Sequence, residues 1–66
     1  MMIADLAYTM LKDGSMSTWL IRHRLEKYHN IDVNNKELRN LLESMESVER
    51  DKVWSRSNNI IWRIVK

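Results

Sequence analysis

The chain has no cysteine, no phenylalanine and a single glycine among its 66 residues. Without cysteine, neither a disulfide nor a thiolate zinc site can staple so small a domain, and nothing points to an oxidising compartment. One glycine cannot supply a Gly-rich phosphate loop. Without Phe, the core has to come from Leu, Ile, Val, Met and three tryptophans. No stretch approaches the ~20 apolar residues that span a bilayer. The opening MMIADLAYTM lacks a basic start, contains Asp5 and is too mixed for the apolar centre of a signal peptide. A soluble, cytoplasmic protein without a membrane partner is therefore expected. The length allows one domain, 1–66, with a modest core and marginal stability.

A strong excess of either charge is also missing. Eleven Lys and Arg stand against nine Asp and Glu, a net charge of +2, far from the basic excess of a nonspecific nucleic-acid coating protein. The distribution is uneven. Arg22, Arg24 and Lys27 face only Glu26 in residues 17–31. Lys36 and Arg39 are outnumbered by Asp32, Glu37, Glu43 and Glu46 in residues 32–46. Arg50, Lys52, Arg56, Arg63 and Lys66 outnumber Glu49 and Asp51 in the tail.

Periodicity predicts three helices. Ile3, Leu6, Ala7, Met10 and Leu11 recur with the spacing of one buried helical stripe over about 2–13, with Gly14 free to take a left-handed terminating conformation. Ser15-Met16-Ser17 is a connector or a stub of strand. Ser17 is a suitable N-cap for a second helix over about 18–29, whose apolar face carries Ile21, Leu25 and Tyr28. Trp19 projects from the polar side, nearly opposite Ile21. Asn30 to Val33 break the pattern, with Ile31 and Val33 plugging the corner. Asn34 and Glu37 form an N-x-x-E box opening a third helix over about 35–46, with Leu38, Leu41, Leu42 and Met45 as its stripe.

From Val48 the period shortens. Strands are predicted over about 48–55 and 60–65, joined by a polar turn at Arg56-Ser57-Asn58-Asn59. Ile60, Trp62 and Ile64 share the face turned to the helices; Ile61, Arg63 and Val65 share the other. The expected fold class is α+β, three helices followed by a two-stranded β-hairpin.

This order resembles the winged helix-turn-helix family across nearly the whole chain. STWLIRHRLEKY corresponds to the second helix, NNKELRNLLESM to the recognition helix and VERDKVWSRSNNIIWRIV to the hairpin with its wing. An aromatic in an apolar terminal strand, Ile61-Trp62-Arg63-Ile64, is similar to the endings of small fimbrial-operon regulators of the FaeA and PapI type and of Z-DNA-binding alpha domains. Departures exist. Arg39 and Glu43 stand where Z-DNA binders have Asn and Tyr, and the wing lacks their prolines, which argues against Z-DNA recognition. The glycine common at the helix-turn-helix corner is also missing.

The resemblance implies a DNA-binding transcriptional regulator, its third helix in the major groove of double-stranded DNA and its wing on the backbone. Asn35, Lys36, Arg39 and Asn40 are then available for base edges, Asn suiting adenine and Arg or Lys guanine. Arg22, Arg24, Lys52 and Arg56 would contact phosphates, which position a protein without reading sequence. So few cations imply weak binding by one subunit and hence a homodimer or a partner protein. The bland reading is equally concrete. Lys36 and Asn40 suit any solvated helix face, Lys52 and Arg56 can blunt an exposed strand edge, and Glu43 and Glu46 would repel phosphate.

The competing reading is an adaptor that binds a transcription-related protein through the second and third helices, with Trp19, Glu43 and Glu46 at the contact. Exposed tryptophans are enriched at interface hot spots; alternatively the helix starts later and Trp19 folds back beneath the hairpin. Trp54 and Trp62 read as core or near-core residues. His23 and His29 lie about a third of a turn apart in projection and lack the companions of a metal site. Ser17 and Ser57 are better explained by a cap and a turn than by nucleophilic catalysis. No enzyme activity, cofactor or metal is expected. The small size suits a phage or mobile-element accessory protein.

Overall fold

The computed structural model describes residues 3–53, 55 and 59–65. Helix α1 spans Ile3–Leu11. Its buried stripe is Ala7, Met10 and Leu11, and half-buried Ile3 and Leu6 pack against the same core. The helix stops two residues earlier than the apolar spacing suggests. Beyond Leu11 the bonding shortens, with the Asp13 N–H donating to Met10 O and Gly14 to Leu11 O, both 3.1 Å. Gly14 follows at φ +141°, a conformation that side-chain-bearing residues rarely adopt.

Met16–Ser17 form strand β1, and Ser17 then caps helix α2, Thr18–His29. The Leu20 N–H donates to Ser17 Oγ at 3.0 Å, satisfying one of the orphan donors of the first turn. Ile21 and Leu25 are fully buried. Tyr28, expected beside them, is exposed instead. The buried stripe ends one turn early because Asn30 takes the left-handed conformation, φ 54° and ψ 38°. The chain then folds back, the Ile31 N–H donating to Leu25 O at 3.0 Å, and Ile31 packs against the core. Asn is among the few residues that adopt this conformation cheaply.

Helix α3, Asn35–Ser44, opens on the expected cap. The Glu37 N–H donates to Asn34 Oδ1 at 2.8 Å, while Asn34 Nδ2 donates back to Glu37 Oε1 at 2.6 Å. The box is thus closed through the Asn amide rather than through the cap backbone. Leu38 and Leu42 are buried, with Leu41 and Met45 half-buried beside them.

Strands β2, Val48–Arg50, and β3, Ile61–Ile64, complete an antiparallel sheet of order β1-β3-β2. The sheet therefore has three strands, not the two of a simple hairpin. Met16 pairs with Trp62 and Ser17 with Ile61; Val48, Glu49 and Arg50 pair with Ile64, Arg63 and Trp62.

The first hairpin strand is also five residues shorter than its Val- and Trp-rich run implies. Asp51 ends it. Its N–H still donates to Ile61 O at 2.8 Å, but its own oxygens then accept from the next residues, Oδ1 from Val53 N–H at 3.0 Å and O from Ser55 N–H at 2.9 Å. Such an Asx turn competes directly with the ladder. Ser55 Oγ then takes the place of a strand partner, accepting from Ile61 N–H at 2.9 Å and donating to Ile61 O at 3.3 Å. Trp54 and the turn residues Arg56, Ser57 and Asn58 lie outside the described residues.

Trp62, 1% exposed, stands at the centre of the core with Met16 and Val48 from the neighbouring strands and the buried Leu, Ile and Met residues of the three helices. Ile60 and Ile64 flank it, while Arg63 turns outward. Trp62 Nε1 donates to Thr18 Oγ1 at 2.7 Å, joining the last strand to the first turn of α2. Among the described residues no helix is long and apolar enough to cross a membrane.

Candidate functional site

The caps decide what the helix starts present. Asn34 fixes the start of α3, so Asn35, Lys36, Arg39 and Asn40 emerge exposed from its first two turns. Ser17 fixes the start of α2 at Thr18, which puts Trp19 in the first helical turn, 55% exposed. It does not fold beneath the hairpin. The Thr18 N–H donates to Ile60 O at 3.1 Å, drawing the approach to β3 against that same turn.

A groove of about 400 Å³ lies where these three segments meet. Asn35, Lys36 and Arg39 form one wall, Thr18 and Trp19 a second, and Asn59 and Ile60 a third. Among the described residues the lining contains Lys36 and Arg39 and no carboxylate.

The carboxylates of α3 are engaged elsewhere. Glu37 closes the cap with Asn34. Glu43 forms an ion pair with Arg50 of β2, whose guanidinium carbon lies 5.8 Å from the Trp62 ring centroid. Glu46 is exposed beyond the end of the helix. On the sheet, Glu49 pairs with Arg63 at 2.6 Å.

Four residues singled out from the sequence therefore meet at one place: Asn35, Lys36, Arg39 and Trp19. Asn40 is exposed on α3 but does not line the groove. Arg22 and Arg24 are half-buried on α2, and Arg22 Nε is shielded from solvent with no hydrogen-bond acceptor among the described residues. Lys52 is exposed in the loop after β2, and Arg56 lies outside the described residues. Thr18, Asn59 and Ile60 were not singled out from the sequence. The signal that brings them together is the pairing of Ser17 with Ile61, too short a strand contact to read from residue types.

Trp19 has a ring partner on its own helix. The His23 ring stacks on it with centroids 5.1 Å apart and planes 5° from parallel. Among the described residues no three His, Asp or Glu side chains gather where they could hold a metal ion. No family model, curated protein or solved structure matches the chain.

Proposed function

We propose that the protein is a winged-helix DNA-binding regulator, with α3 as its recognition helix and the loop between β2 and β3 as its wing. One observation carries the reading. The exposed start of α3 faces a groove lined by Lys36 and Arg39, together with Asn35, and, among the described residues, by no acidic side chain. A ten-residue helix is about 15 Å long and 10–12 Å across its side chains, a match for the ~12 Å width of the major groove. Asn35, Lys36, Arg39 and Asn40 supply the donor and acceptor types that read adenine and guanine edges. The objection from an acidic third helix is met in part because Glu43 is paired with Arg50 and neither Glu37 nor Glu43 lines the groove. Arg22, Arg24, Lys52 and Arg56 are the candidate phosphate contacts, and so few cations favour a homodimer.

Titration of labelled duplex DNA at two salt concentrations tests this reading. Affinity falls steeply with salt and is lost in a Lys36→Glu/Arg39→Glu variant; no binding at low salt refutes it. A second reading, an adaptor for a transcription-related protein, is favoured by the exposure of Trp19. A pull-down from nuclease-treated extract tests that version, which fails if Trp19→Ala retains the same partner equally well.

A further inference from the structure

Trp19 is an expensive residue to leave in water. About half of its surface stays exposed at the start of α2, so its ring adds little to the core, and the fold around it is completed by Ile21, Leu25 and Trp62. Its orientation is nevertheless defined. His23, one turn along the same helix, stacks on it almost parallel. Trp19 lines the groove and His23 does not; His23 covers one face of the indole, which leaves the other for a ligand.

The groove offers that surface in a suitable setting. Lys36 and Arg39 place positive charge beside it, and Asn35 and Asn59 place amide donors and acceptors around it. The volume, about 400 Å³, lies within the range of sites that hold small organic ligands. A flat aromatic face flanked by cations and amides has the chemistry of a nucleobase-stacking platform, where phosphates meet the cations and base edges meet the amides. Bases inside an intact duplex are already stacked on their neighbours and have no free face to offer.

We propose that Trp19 stacks on an unpaired nucleobase, so that the preferred ligand is a DNA duplex carrying an unstacked base at its end rather than an uninterrupted one. The proposal rests on the DNA-binding reading given above and adds the class of DNA.

The probes are one labelled duplex in three forms: blunt, with a two-nucleotide 3′ overhang and with a two-nucleotide 5′ overhang. Dissociation constants are measured at low salt. At least one overhang form binds the unaltered protein about tenfold or more tightly than the blunt form. Trp19→Ala weakens that form by about ten- to a hundredfold and removes its advantage over the blunt duplex, whatever the change in blunt binding; Trp19→Phe keeps most of the preference. Equal binding of all three DNAs to the unaltered protein overturns the proposal without recourse to any variant. So does a Trp19→Ala protein, folded by its thermal midpoint, that keeps the preference. If blunt DNA binds and Lys36→Glu/Arg39→Glu abolishes it while overhangs bring no advantage, only the stacking role fails. If no form binds at low salt, the DNA-binding reading fails with it.

Discussion

Replacing Thr18 with Val isolates the side-chain hydrogen bond that ties the last strand to the start of α2. Trp62 is 1% exposed and its Nε1 donates to Thr18 Oγ1 at 2.7 Å. Valine keeps the shape of the side chain and the backbone bond from the residue-18 N–H, but it strands the indole N–H in an apolar interior. A buried donor left without an acceptor costs about 1–3 kcal/mol. The methyl that replaces the hydroxyl is only half-buried and offsets roughly 0.4 kcal/mol of that. The net loss is about 0.6–2.6 kcal/mol, against a total stability of roughly 3–10 kcal/mol for a chain of this length. Thermal unfolding followed by circular dichroism should show Tm falling by roughly 2–20 °C. A double-mutant cycle sharpens the test, since Trp62→Phe removes the donor and Thr18→Val should cost almost nothing in that background. A Tm change below about 2 °C for Thr18→Val, or the same cost in both backgrounds, would refute the claim that this bond is what Thr18 supplies.

Three further outcomes concern the helix ends. Ser17→Ala and Asn34→Ala each remove an N-cap acceptor and should lower stability by about 1 kcal/mol in denaturant melts. Asn30→Gly, at φ 54°, should be neutral to within a few tenths of a kcal/mol, whereas Asn30→Ala should cost about 1 kcal/mol in the same melts. Under the DNA-binding reading, neutralising Lys36 or Arg39 singly should reduce the slope of log affinity against log salt by about one, measured over three or more salt concentrations.

The helices were legible in the sequence because they are specified locally. Ser17 and Asn34 sit at their starts with acceptor side chains, and each core stripe repeats with helical spacing, so the position of α2 follows from its cap alone. The sheet is legible only in part. Its central strand declares itself through Ile60, Trp62 and Ile64 on one side, but β1 is two residues long, and a strand that short carries no alternation to detect. Asp51 was the missed punctuation. Between Arg50 and Val53 it looks like an outward-facing residue of a strand, yet it is buried and its oxygens take the two following turn donors. The groove depended on this hidden part of the sheet. Trp19 looked misplaced on a polar helix face because the sequence shows the helix without the strand approach that lies against its first turn.

The charge of α3 illustrates the same point and supplies the sharpest discriminator between the two functional readings. Counted by window, residues 32–46 are acidic, which argues against approach to phosphate. Counted by place, Glu43 is paired with Arg50 and neither it nor Glu37 lines the groove, where Lys36 and Arg39 do. Glu43→Gln should then change stability by no more than about 0.5 kcal/mol, because both members of the pair are close to half exposed. A unit charge acting across about 8–10 Å of water contributes roughly 0.4–0.5 kcal/mol, so removing it should tighten DNA binding about twofold at low salt, with the gain fading as salt is raised. An adaptor that uses Glu43 as a contact predicts the opposite sign for its own partner. Glu43→Gln that weakens DNA binding, or that leaves it unchanged at low salt, would overturn the assignment of α3 as the helix that approaches the phosphates.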